Sequence, residues 1–89
     1  MELRAKGKFY RDLEKYGDRE LAKAIREALR QMQGAKDISQ ILNLRKLKHF
    51  KRFYRAKVMD NYRIGIEIRK NLIILVCFGH RHNFYKKFP

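Results

Sequence analysis

The chain has 89 residues, of which 23 are lysine or arginine and 9 are aspartate or glutamate, so that its formal net charge is +14. This length predicts one domain over residues 1–89, and a hydrophobic fraction of 45% is typical of a folded protein rather than a disordered one. No apolar run approaches the roughly 18 residues of a membrane-spanning helix, and no secretory leader is visible. One cysteine excludes a disulfide framework and a thiolate metal cluster. We therefore expect a reducing, cytoplasmic compartment.

The first half of the chain has the periodicity of helices. A first apolar stripe consists of Phe9, Leu13 and Tyr16, at positions i, i+4 and i+7. A second consists of Leu21, Ile25, Ala28, Leu29 and Met32. Gly17 ends the first predicted helix, Asp18 caps the second, and Gly34 ends it. A capping-box pattern at Asp37 predicts a short third turn or helix over residues 38–44. The two long segments predict a helical hairpin.

The second half alternates with the period of strands. Tyr54, Ala56 and Val58 share one face, and Tyr62, Ile64, Ile66 and Ile68 share one face of the next segment. Residues 59–61 and Lys70-Asn71 are tight turns. Residues 72–78 are apolar on both faces, which is typical of a central strand. The sequence therefore predicts an α+β fold, with an N-terminal helical hairpin packed on one face of an antiparallel sheet of three to four strands.

The predicted register gathers positive charge on one face of this sheet. If the first turn pairs Val58 with Tyr62, Lys57 lies opposite Arg63 and Arg55 lies opposite Gly65. Like charges directly across a strand pair are destabilising, so the arrangement favours an anion-binding role over a purely structural one. The alternative is a solvated basic face that only docks a partner. The net charge equally requires a polyanionic partner: a nucleic acid, an acidic protein or an anionic membrane.

The second hairpin and the tail complete the predicted geometry. Pairing Arg69 with Leu72 places Ile64 opposite Cys77, which would put that thiol in the core under the helices and leave the cationic face open. Residues 79–85 then supply two histidines, an arginine and a tyrosine, which are groups that carry or stabilise protons and anions. Strict alternation places His80, rather than Arg81, on the cationic face, although Gly79 can bend the strand. Two histidines without a third ligand do not predict a metal site.

Five segments together resemble the RelE branch of the RelE/ParE toxin superfamily. They are Lys46-Leu47, Phe53–Val58, residues 62–65, residues 80–85 and Phe88-Pro89. The resemblance implies a microbial-ribonuclease-like α+β fold, here with a short first strand within residues 1–5. It also implies a toxin of a type II toxin–antitoxin system that cleaves messenger RNA in the ribosomal A site without a cofactor. The implied partners are the ribosome, mRNA and an acidic RelB-like antitoxin, with a toxin–antitoxin heterotetramer as one arrangement.

The resemblance also implies roles for individual residues. The expected catalytic set is Arg55, Lys57, Arg63, Arg81 and Tyr85. Lys57 or Tyr85 is the expected base, and His80, His82 or Arg81 is expected near the leaving oxygen. Arg55 stands where the type member has lysine, which favours phosphate binding there.

Glu67 is expected to pair with Arg69 or a nearby lysine. The densest basic run is expected to bind RNA as a helix-to-strand connector, through Arg45, Lys46, Lys48, Lys51 and Arg52.

Two other functions are compatible with this chain. A ParE-like inhibitor of DNA gyrase would have the same fold, but it would not need the five catalytic residues together. A non-enzymatic RNA- or ribosome-binding module would use the positive charge without cleaving RNA.

Overall fold

The computed structural model describes all residues, Met1–Pro89, and confirms the helical hairpin. Helix α1 spans Gly7–Leu13, so it ends four residues before Gly17, its predicted end, and α2 spans Arg19–Gly34. Asp18 begins α2 as expected, because its Oδ1 accepts hydrogen bonds from the backbone N–H groups of Glu20 (2.8 Å) and Leu21 (3.1 Å). The third predicted element is a 3₁₀ turn over Ile38–Gln40, and Leu44 already belongs to a strand. None of the helices is long and apolar enough to cross a membrane.

The sheet has five strands rather than the three to four expected. They are β1 (Glu2–Ala5), β2 (Leu44–Lys46), β3 (Phe53–Val58), β4 (Tyr62–Arg69) and β5 (Leu72–His80), and a third helix, α3, spans Arg81–Lys87. Their order is β1-β5-β4-β3-β2. The first strand runs parallel to β5 and the remaining neighbours are antiparallel. The fold is α+β, and the strands β4 and β5 carry seven of its 17 buried hydrophobic residues.

The register of the first strand pair agrees with the prediction, and that of the second departs from it halfway. Lys57 lies opposite Arg63. Between β4 and β5 the register shifts at Gly65/Ile66, so that Ile64 pairs with Phe78 and Gly65 pairs with Cys77. The prediction that Ile64 faces Cys77 was wrong, because an irregularity of this kind moves every later side chain to the other face.

Each face of the sheet therefore carries its own apolar cluster. The main core lies between the sheet and the α1/α2 hairpin, and its largest members include Phe9, Leu21, Met32, Ile66 and Phe78. The opposite face holds a smaller cluster of Cys77, Phe84 and Phe88. Phe84 belongs to α3, and Phe88 is the extended residue that directly follows it. The cationic face is therefore not open as predicted, because its centre lies under α3 and Phe88. Cys77 is buried in this second cluster and not under the hairpin.

A buried carboxylate joins α1, β5 and α3. The edge of β5 extends beyond the end of β1, and there the Phe78 N–H donates to Asp12 Oδ2 at 3.0 Å. Asp12 also pairs with Lys8 at 3.1 Å and with Lys87 of α3 at 3.8 Å. Charged side chains thus bond the backbone N–H and oxygen of Phe78 at the free edge of β5, and the end of α3 is tied to the hairpin.

Candidate active site

Three strands place four cationic residues side by side on the α3 face of the sheet. Lys57 lies opposite Arg63 across β3 and β4. Arg55 lies opposite Arg45 across β3 and β2, a pair that the sequence pattern did not predict. Cross-strand pairs of like charge cost stability, so this face gains from an anion bound across it.

Backbone oxygens hold two of these cations in place without neutralising them. Arg63 Nη1 donates to the backbone oxygens of Asp60 (2.7 Å) and Tyr62 (3.0 Å), and Arg63 Nε is buried without a hydrogen-bond partner. Arg55 Nη1 donates to the Asn43 oxygen at 3.2 Å. The one ion pair in the group joins Lys57 Nζ to Asp60 Oδ1 at 3.5 Å, with the Asp60 side chain 77% exposed. An ion pair this exposed is weak, so the positive potential of the site persists.

Helix α3 brings the tail residues to the same end of the sheet. The Arg81 N–H donates to the Asn61 oxygen at 2.8 Å, which fastens the first turn of α3 to the β3–β4 turn. Tyr85 lies one helical turn after Arg81 on the same side of α3 and is exposed. The buried Phe84 and Phe88 occupy the side toward the sheet.

The two tail histidines have different surroundings. His80 caps α3, where its Nδ1 accepts from the His82 N–H at 3.3 Å. It pairs with Tyr62, whose ring stacks on Phe78 of the main core. The register shift therefore places His80 on the side of the sheet that faces the helical hairpin. The prediction from strict alternation, which placed His80 on the cationic face, was wrong. The exposed His82 ring stacks on that of His80 with centroids 4.8 Å apart.

The predicted RNA-binding run lies at the edge of the same sheet. Arg45 and Lys46 belong to β2, and Lys48, Lys51 and Arg52 lie in the loop that follows. All five are exposed. The segment is a strand and its hairpin loop rather than a helix-to-strand connector, because Leu44–Lys46 adds to the edge of β3.

The remaining chemistry-bearing groups are committed elsewhere. Glu67 is buried and accepts from Arg69 Nε at 2.6 Å, as expected, so it is not a free catalytic carboxylate. Burial raises the pKa of the Cys77 thiol to about 11, which makes that sulfur a poor nucleophile. No group of three or more potential ligand side chains is arranged to hold a metal ion.

Comparison with known proteins places the chain in a family. No family model matches it. A toxin named RelE3 from Methanocaldococcus jannaschii is 33% identical over 82 residues, which cover 91% of each chain. The fold of this chain also matches a chain of a solved RelB–RelE antitoxin–toxin complex from Methanococcus jannaschii. The TM-score is 0.79, with 30% identity over 97% of this chain and 99% of the other. YafQ from Escherichia coli shares the fold at 13% identity, with a TM-score of 0.65 over 94% of this chain and 97% of its own. The chain therefore belongs to the RelE family of toxins of toxin–antitoxin systems.

Proposed function

We propose that this toxin is an endoribonuclease that cleaves messenger RNA on the ribosome and thereby inhibits translation. The observation that carries the proposal is a row of cations, here called the catalytic row, formed by Lys57 and Arg63 with Arg55 beside them. The first turn of α3 is hydrogen-bonded to the β3–β4 turn at the end of this row. The only carboxylate paired with this row is the exposed Asp60. Such a surface suits a phosphodiester whose negative charge increases during the reaction.

The proposed reaction is a transesterification. The RNA 2′-oxygen attacks the adjacent phosphorus, the bond to the 5′-oxygen breaks, and a 2′,3′-cyclic phosphate and a 5′-hydroxyl result. Lys57 or Tyr85 takes the proton from the 2′-hydroxyl, and an acid returns a proton to the 5′-oxygen. The capping bond of His80 and its place beside Tyr62 favour His82 or Arg81 as that acid. Arg55, Arg63 and Arg81 stabilise the charge of the pentacoordinate phosphorane.

In this proposal, the exposed cations of β2 and of the β2–β3 loop bind the ribosome. Arg45, Lys46, Lys48, Lys51 and Arg52 lie at the edge of the sheet next to the catalytic row. They contact phosphates of the ribosomal RNA and of the messenger RNA bound to it, which makes ribosome binding sensitive to salt.

An acidic antitoxin is the proposed protein partner. The RelE toxin of the solved complex binds the antitoxin RelB, and a chain with a net charge of +14 favours an acidic, partly disordered partner that folds on binding.

Primer extension on a reporter messenger RNA, after a brief pulse of expression, tests the proposed function. Wild type is compared with the double variant Arg81→Ala, Tyr85→Phe and with Lys36→Ala, which removes one exposed charge outside the site. We expect cleavage within translated codons by wild type and Lys36→Ala, and none by the double variant or when translation initiation is blocked. Growth arrest without cleavage would favour gyrase inhibition, and neither effect would favour a non-enzymatic RNA-binding module.

A further inference from the structure

The β2–β3 loop presents an aromatic ring to solvent in strongly basic surroundings. Phe50 is 42% exposed and lines a shallow pocket of about 390 Å³. The other lining residues are His49, Lys51, Arg52, Phe53, Glu67 and Arg69. A single exposed apolar side chain is ordinary on a protein surface, so its role depends on how firmly it is held and on its neighbours.

The loop holds Phe50 in place from several directions. Its backbone oxygen accepts from Lys46 Nζ. Its ring meets Phe53 edge-on at a centroid distance of 6.1 Å, and Phe53 packs in turn on Phe88 at 5.6 Å. The loop closes through a 2.9 Å bond from the Leu47 N–H to the Phe53 oxygen, and the Ile68 N–H of β4 donates to the Arg52 oxygen at 2.9 Å. The ring therefore sits on an ordered aromatic base, which lowers the entropy lost when a ligand stacks on it.

The charges around this pocket select an anion. Arg52, Arg69 and Lys70 are exposed and line the continuous depression beside it. The one acidic group, Glu67, is buried and bonded to Arg69. A flat apolar surface edged by cations fits a nucleotide, whose base stacks on an aromatic ring while its phosphate binds guanidinium groups.

We infer that the Phe50 pocket binds an unpaired RNA nucleotide that flanks the cleaved one. The inference rests on the proposed function for the identity of the polyanion. Along β3, Phe53 and Lys57 lie four residues apart on one face, about 13 Å at the usual strand rise. Arg55 and Arg45 lie between them, so a basic track joins the pocket to the catalytic row. The pocket holds a neighbouring nucleotide and sets the register of the strand in the site.

Binding to an RNA that cannot be cleaved tests the inference. The probe is a fluorescent, unstructured 12-nucleotide strand with 2′-O-methyl groups throughout, compared with an abasic strand of equal length. Phe50→Leu keeps apolar volume and charge but removes the ring. Tyr10→Leu is the matched control, because Tyr10 is another exposed aromatic residue, 58% exposed on α1.

We expect Phe50→Leu to weaken binding of the base-containing strand at least about fivefold, the lower end of aromatic stacking. Tyr10→Leu, and either variant on the abasic strand, should leave the dissociation constant unchanged. The salt dependence should be unaltered in Phe50→Leu, whereas Arg52→Gln should reduce its slope by about 0.7. Thermal melting verifies that each variant is folded.

The outcomes separate this inference from the proposed function, because the probe does not report cleavage. If bases stack on Phe50 in a protein that cleaves no messenger RNA, the inferred nucleotide pocket stands and the proposed nuclease function is refuted. Cleavage in cells with equal RNA affinity for wild type and Phe50→Leu would refute the pocket. Equal losses on both strands, or no binding by wild type, would also refute it.

Discussion

Gly65 leaves room for Phe88 to pack on the sheet, and Gly65→Ala should therefore loosen the candidate active site. A Cβ at this position would lie 2.7 Å from Cys77 Sγ and 2.8 Å and 2.9 Å from two ring carbons of Phe88, where ordinary contact begins at 3.4 Å. Both neighbours are buried. Overpacking of this kind costs about 1–3 kcal/mol. Expelling Phe88 instead would cost about 1.5–3 kcal/mol of lost burial.

Either response should appear as a loss of unfolding free energy in urea. For a domain of this size, each kcal/mol should lower Tm by about 4–8 °C. Gly34→Ala is the control, because a Cβ at that last residue of α2 meets nothing within 4 Å. It should be neutral or stabilising by up to about 1 kcal/mol. Gly65→Ala within about 0.5 kcal/mol of wild type would refute the reasoning. Because Phe88 packs against Phe84 of the helix that carries Arg81 and Tyr85, Gly65→Ala should also reduce the proposed RNA cleavage.

Three further predictions concern single groups. Burial raises the pKa of the Asp12 carboxyl, but hydrogen bonds from the Phe78 N–H and Lys8, with the charge of Lys87, bring that pKa below its usual 3.8. The stability that the ionised Asp12 contributes is complete above about pH 4 and is lost as the pH falls through the lowered pKa. Asp12→Asn should flatten this acid dependence of the unfolding free energy. An equally steep loss of unfolding free energy in the variant would contradict the assignment. The Cys77 thiol should react with iodoacetamide only as fast as the protein unfolds, and immediate labelling of the native protein would contradict its burial. Asp18→Ala should cost about 0.5–2 kcal/mol in urea unfolding, whereas Asp18→Asn, which keeps the acceptor, should cost much less.

The β3–β4 hairpin was predictable because its signals are local. Alternating apolar residues define the faces of both strands, and residues 59–61 define the turn, so the pairing of Lys57 with Arg63 follows from the residue pattern alone. The cationic row at the candidate site is therefore readable from the sequence.

The other side of the site was not predictable from the same signals. Residues 72–78 are apolar on both faces, so the shift opposite Gly65/Ile66 leaves no break in their pattern. Phe84 and Phe88 stand at the i, i+4 spacing, and that pair was the available signal that a helix covers Cys77, although the helix ends one residue before Phe88. The parallel strand β1 is four residues long, too short to show a period.

The chemistry of the cleaved ends tests the central claim most directly. Purified toxin is added to ribosomes that hold a defined codon in the A site, and the products are analysed by mass spectrometry. The proposed transesterification predicts a 2′,3′-cyclic phosphate and a 5′-hydroxyl, formed by wild type and not by the Arg81→Ala, Tyr85→Phe variant. A 5′-phosphate product, or undiminished cleavage by that variant, would contradict the account.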